Sequence, residues 1–313
     1  MLAYLLGRKV TVCRFPGCLL ARESFFATFT PPMTHTAPSA SLPTVAVLGC
    51  GWLGLPLARA LVAAGYPVHG STTTPGQLLT LRAVGIKPFL LRLAPTLSAT
   101  DADTLQAMLQ DVEILVLNVP PTRGGGSQEA YPGVVRLVAQ AAESAGVRHV
   151  LLVSSTGVYP DEPRLMYEPD AQAAPDAPAP LLQAEAPFQH ANHTVVRLAG
   201  LMGPGRPPGR FLAGRTGVAH GEAPVNMIHL HDCVGLLTRV LEQQLWGYTF
   251  NASAASHPTR RTFYTAAATR LHLQPPTFQE ETTGGKQIDS SLIRRLTGYQ
   301  FRHDDVVAAL EFC

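Results

Sequence analysis

No run of about 18 uninterrupted apolar residues occurs in the 313-residue chain, so a membrane-spanning helix is not expected. Charge is also sparse. Asp, Glu, Lys and Arg make up 15% of residues, the formal net charge is +2, and there is no basic stripe of the kind that grips nucleic acid. Cysteine is scarce and scattered. Cys13, Cys18, Cys50, Cys233 and Cys313 form no CxxC pair and no Cys/His spacing that would hold zinc. Reduced thiols in a cytoplasmic protein, with no metal, are the resulting expectation. Lysine is missing altogether between Lys87 and Lys286. Apolar residues, at 46%, are plentiful enough to bury a core in one large α/β domain or two small ones.

Residues 1–42 stand apart. Arg8, Lys9, Arg14 and Arg22 face only Glu23, Ser/Thr/Pro are frequent, and no apolar period persists. A disordered or upstream extension, with Met33 as a candidate start, and a transit peptide both fit that composition. Beyond it, apolar runs alternate with helical patterns. Strands are expected at Thr44–Leu48, Val68–Thr72, Pro88–Leu93, Ile114–Val119 and His149–Ser154. Helices are expected at Trp52–Ala64, Gly76–Val84, Asp101–Leu109 (with Asp101 as N-cap) and Gln128–Ala145. The strands are continuously apolar, which fits a parallel sheet covered on both faces and hence a doubly wound α/β fold.

After Tyr159 the pattern loosens. An exposed Pro/Asp/Ala-rich loop is expected at 160–180, then a helix at Leu181–His190 and a strand at Thr194–Leu198. A Gly/Pro/Arg-rich loop at 200–225 precedes a strand at Val225–His229, a helix at His231–Gln243 and a strand at Tyr248–Asn251. The chain closes with a helix at Pro258–Leu271, strand signals near Phe278 and Ile288, and a helix at Ser291–Leu296. The domain reading is a dinucleotide-binding core over 43–160, with 161–313 supplying the remaining core elements and a small C-terminal substrate lobe.

The most informative motif is Gly49-Cys50-Gly51-Trp52-Leu53-Gly54. A lone GxGxxG is weak, but this one lies directly between a strand and a helix inside a βαβ unit. Gly49 permits the tight turn, Gly51 lets backbone approach a pyrophosphate, and Gly54 lets helix pack on strand. The free N–H groups at the helix start favour phosphate. At the end of the second strand, where an acid would bind a ribose 2′-hydroxyl, the residues are Ser71, Thr72 and Thr73. With no carboxylate to repel a 2′-phosphate, this leans to NADP, NAD remaining open because the usual arginine is missing as well.

These residues resemble an extended, atypical short-chain dehydrogenase/reductase of the NAD-dependent epimerase/dehydratase family. The resemblance rests on GCGWLG at 49–54, Asn118-Val119-Pro120-Pro121, Ser154-Ser155-Thr156-Gly157-Val158-Tyr159, RLAGLMGPGR at 197–206 and NMIHLHD at 226–232. It implies a Rossmann core and cofactor contacts at Gly49, Gly51, Trp52, Leu53, Gly54, Asn118, Val119, Pro120 and Ser154, beside the ribose-end Ser71, Thr72 and Thr73. It also implies substrate contacts from Arg197, Arg206 and Arg210, a small-molecule substrate, and a homodimer in many relatives.

The family's acid/base pair, Tyr-x-x-x-Lys on the helix after the fifth strand, is not found. Aligned on Glu185, those positions hold Ala177 and Leu181, and the lysine-free stretch removes any alternative register. Three readings stay open: an oxidoreductase or epimerase with another proton donor, a cofactor-binding sensor, or an interaction subunit. For the first, the candidates are Ser155, Thr156, Tyr159 and His229, histidine having the most suitable unperturbed pKa.

Overall fold

A computed structural model of the chain describes residues 42–121, 128–280 and 284–313. The expected N-terminal extension, apart from Leu42, lies outside the described residues. In the first half, β1 (Val45–Leu48), α1 (Gly54–Ala63), β2 (Val68–Thr72), α2 (Gln77–Ala83) and β3 (Ile86–Leu90) are followed by α3 (Ala99–Leu109), β4 (Ile114–Leu117), α4 (Tyr131–Ser144) and β5 (His149–Ser155). Next come β6 (Leu165–Met166), α5 (Pro180–Glu185), β7 (His193–Leu198), β8 (Gly200–Met202), α6 (Gly209–Leu212) and β9 (Met227–His229). The remainder is α7 (Leu230–Glu242), β10 (Thr249–Ala252), α8 (Arg260–Arg270), β11 (Gln287–Ile288) and α9 (Ser291–Thr297).

Seven strands form one sheet in the order β10-β7-β5-β4-β1-β2-β3, with every neighbouring pair parallel. Both faces are covered, and the strand alternation shows it. Val45 and Val47 pack with Leu57 and Leu61 of α1 and Leu236, Leu237 and Val240 of α7. Ala46 and Leu48 pack on the other face with Leu105 and Met108 of α3 and Val135 and Val138 of α4. Each such fully buried leucine contributes about 1.5–3 kcal/mol. The chain leaves β1 toward β2 on one side and β4 on the other. That is the switch point at which open α/β sheets bind ligands, beyond the carboxyl ends of the strands. Two short parallel pairs, β11-β6 and β8-β9, lie outside this sheet.

Several boundaries differ from the sequence reading, each for a local reason. The cap of α3 is Ser98, whose hydroxyl accepts from the Asp101 N–H at 3.1 Å, while Asp101 lies inside the first turn. β3 runs from Ile86 and holds Pro88, which an edge strand tolerates. The helix expected from Gln128 begins as a 3-10 turn and becomes α4 at Tyr131. Thr259 caps α8, so Pro258 precedes the helix. The helix expected to reach His190 ends at Glu185 and continues as a 3-10 turn. The stretch at 160–180 is not simply exposed: Met166, Ala171 and Ala177 are buried with Tyr159 and Ile288. Its Pro content hid a strand too short to show a period. Likewise 200–225 contains β8 and α6.

Candidate active site

The carboxyl edge gathers the motifs. Register places Leu48 beside Leu117, Leu117 beside Leu152, and Ser155 beside Leu198. The loops leaving β1, β4, β5 and β7 therefore emerge together. Gly49 has φ +100°, which favours glycine, and a Cβ there would lie 2.6 Å from the Asn118 carbonyl oxygen. A Cβ on Gly54 would come 2.0 Å from the Gly49 oxygen, so the start of α1 packs directly on the turn. Gly51 is the opposite case. It is exposed, and a Cβ there meets nothing within 4 Å. The space above it is the room that a pyrophosphate needs at a helix start, so the loop fits a dinucleotide.

The residues around this loop mostly hold its shape. Ser71 Oγ accepts the Gly49 N–H at 2.9 Å, and Asn118 Nδ2 donates to the Gly49 oxygen at 3.1 Å. Thr72 Oγ1 donates to Gln77 and accepts from the Thr74 N–H, which shapes the turn into α2. Ser71 and Thr72 are buried, leaving Thr73 as the exposed hydroxyl of that set. Leu53 is buried in the core, Val119 is half-buried and Pro120 is exposed. Trp52 Nε1 donates to the Pro204 oxygen at 2.8 Å, and the Arg206 guanidinium lies 5.6 Å from its ring. The glycine loop and the loop after β8 are thus in contact. Burial pushes the Cys50 thiol up to about 12, which disfavours its thiolate.

Beneath the β5 end lies a polar network that sequence reading did not foresee. Arg197 is 1% exposed. Its guanidinium donates to both Glu185 carboxylate oxygens, to Tyr159 Oη at 2.7 Å and to the backbone oxygens of Glu168 and Ala171. Ser154 Oγ donates to Glu185 at 2.5 Å, and Tyr159 Oη donates to Asn251 Oδ1 at 2.7 Å. Ser154, Arg197 and Asn251 are cross-strand neighbours on β5, β7 and β10. In this arrangement Arg197 lies beneath the surface, Ser154 turns inward, and the Tyr159 phenol is enclosed with its pKa raised by burial.

His229 is also internal. It caps α7, with Nδ1 accepting the His231 N–H at 3.2 Å, so the neutral ring carries its proton on Nε2, which donates to the Phe312 oxygen. Burial lowers its pKa, and His303, 3.9 Å away between ring centroids, adds to that. Thr156 is buried too. Ser155 differs. It is half-buried at the end of β5, and its Oγ accepts the Gly157 N–H at 3.1 Å. Arg210 is exposed on α6, and Arg206 is half-buried with Nε donating to the Leu201 oxygen.

Residues 49–228 match the NAD(P)H-binding family. Protein YeeZ of Escherichia coli strain K12 is 36% identical over 267 residues, covering 83% of this chain and 96% of YeeZ. The chain belongs to the NAD(P)H-binding family. Among solved structures, a UDP-N-acetylglucosamine 4-epimerase from Bacillus cereus aligns with a TM-score of 0.62 and 16% identity, over 86% of this chain and 94% of that one. The human epimerase family protein SDR39U1 with NADPH gives 0.59 and 20%, over 86% and 98%. A conserved protein from Silicibacter pomeroyi gives 0.65 and 24%, over 86% and 97%. These likenesses show that the chain shares the parallel-sheet α/β fold of those structures.

Within this NAD(P)H-binding fold, α5 starts only at Pro180, and Ala177 precedes it as a buried loop residue. Leu181 faces the turn after β5: its Cδ1 lies 3.8 Å from where a Gly157 Cβ would sit. Glu185, Asn251 and Lys286 are the site-proximal residues that sequence reading missed. Glu185 served there only to align the helix. Lys286 marked only the end of the lysine-free stretch, although an isolated lysine was the available signal.

Proposed function

We propose that this chain is an NADP(H)-dependent oxidoreductase or epimerase acting on a small molecule without the Tyr-x-x-x-Lys pair, with Ser155 as the hydroxyl presented to substrate. The observation that carries this reading is the contrast among the four candidate donors. Tyr159 and His229 are committed to internal hydrogen bonds and Thr156 is buried, whereas Ser155 sits half-buried at the end of β5 with its oxygen held by the Gly157 N–H. That bond uses an acceptor position and orients the hydroxyl, so its proton can be directed at a substrate oxygen. A nicotinamide bound along this edge would supply or accept hydride. Gly49, Gly51 and Gly54 would hold the pyrophosphate, with Asn118, Val119 and Pro120 along the adjoining ribose. Thr73, exposed and without a neighbouring acid, supports the NADP preference. Arg210 and Arg206 are suited to a carboxylate or phosphate on the substrate.

Calorimetry with NADPH and NADH, followed by NADPH oxidation against a panel of carbonyl compounds and sugar nucleotides, tests the reading. Tighter NADPH binding and a turnover that Ser155→Ala lowers on the order of 100-fold are expected. Full activity in Ser155→Ala removes it as the hydroxyl. The internal engagement of Tyr159 and His229 favours a second reading, a cofactor-binding sensor. NADPH binding with no turnover over the whole panel would select it.

A further inference from the structure

The chain holds three lysines, Lys9, Lys87 and Lys286. Lys87 is on β3, the outer strand of the sheet, with its ammonium over the Phe89 ring. Lys286 arrives from the other end of the sequence. Its Nζ donates to the Tyr159 carbonyl oxygen at 2.6 Å, and its own N–H donates to Asp161 at 3.3 Å. Asn226 clamps the segment from the lobe side: Nδ2 donates to the Lys286 oxygen and Oδ1 accepts the Ile288 N–H. The pairing of β11 with β6 completes the attachment. The Tyr159 N–H donates in turn to the Thr156 oxygen, so the carbonyl that Lys286 grips belongs to the turn that begins at Ser155.

In a fold of this class the cofactor lies across the carboxyl edge, its adenosine toward β2 and its nicotinamide toward β5. Lys286 is therefore attached at the nicotinamide end, the end where α5 presents Leu181 and no lysine. We propose that Lys286 is the positioning cation of this site, brought by the C-terminal segment to the Ser155–Tyr159 turn. There it fixes the turn through the Tyr159 carbonyl and supplies positive charge beside a substrate oxygen as negative charge develops on it. The inference rests on the oxidoreductase reading above. It is supported by the half-buried setting of the amine, where desolvation lowers the pKa and Asp161 is the acid that opposes the shift.

The small number of lysines makes a direct test practical. Reductive methylation with 13C-formaldehyde gives one resonance per lysine besides the N-terminus, and Lys286→Arg, which is not methylated, assigns the one of interest. The oxidised nicotinamide ring carries a positive charge that the reduced ring lacks. Saturation with NADP+ is therefore expected to lower the Lys286 midpoint by about half a pH unit to one unit more than saturation with NADPH. Lys87 should titrate identically with both. In parallel, Lys286→Met should leave NADPH affinity within about twofold and slow carbonyl-dependent NADPH oxidation on the order of 100-fold, with Lys286→Arg recovering most of it. Binding of both cofactors with the same Lys286 midpoint overturns the proposal and leaves the oxidoreductase reading standing. Absence of binding by calorimetry overturns the oxidoreductase reading and the proposal together.

Discussion

Gly51 and Gly54 are three positions apart in one loop, yet the space around them differs completely. A Cβ at Gly54 runs into backbone at 2.0 Å, whereas one at Gly51 meets nothing within 4 Å. Gly54→Ala is therefore expected to destabilise the fold by about 3 kcal/mol, read from a denaturant midpoint. Gly51→Glu should leave that midpoint within about 0.5 kcal/mol and abolish NADPH binding by calorimetry. Equal destabilisation by the two would contradict the packing described. At the buried ion pair, Glu185→Ala strands the Arg197 guanidinium and removes the acceptor of Ser154, both out of reach of water. A loss of about 3–5 kcal/mol in chemical denaturation is expected. A loss under about 1 kcal/mol would mean that the pair is hydrated in solution.

At the scale of elements, α7 ties the C-terminal segment to the sheet. The Asp232 carboxylate, fully buried in its first turn, accepts from Tyr299 Oη and from the N–H groups of Arg302 and His303. Around it stand His229, His231 and His303, each with its pKa lowered mainly by burial. The consequence for stability has a definite sign. The unfolded chain protonates these rings at about pH 6.5 and the folded chain only below that, so in between the unfolded state binds more protons. Stability is then complete above about pH 6.5 and declines as pH falls through the window down to the depressed folded values. The melting temperature should fall between pH 7.5 and 5.5, and His303→Gln should flatten that dependence. A melting temperature constant over this range would contradict the burial of the cluster.

For the whole molecule, ligand that binds only the folded chain stabilises it by mass action. NADPH at 100 times its dissociation constant contributes about 2.7 kcal/mol, a rise of roughly 5–10 °C in melting temperature. NADH at the same concentration should give less, and Gly51→Glu should give none. Equal shifts with both nucleotides would remove the NADP preference. The folding pattern behind this site was largely legible beforehand. Continuous apolar runs, glycine stops and the GCGWLG loop are local signals, written in a few consecutive residues whose backbone and burial preferences act on each other directly. They were sufficient for the doubly wound sheet, the open face at Gly51 and the lack of a lysine on α5. Side-chain fate was not local. Arg197 read as a substrate contact and Tyr159 and His229 as candidate proton donors, but β10, α5 and the C-terminal segment close over them and take up their hydrogen bonds. Lys286 read as an isolated charge, and pairing of β11 with β6 carries it to Tyr159, 127 positions away in sequence. By itself the sequence determined the sheet, the glycine loop and the absence of lysine from α5. Only the tertiary structure decided which polar groups are buried and with which partners, because burial and partner geometry come from segments that meet after the chain has folded.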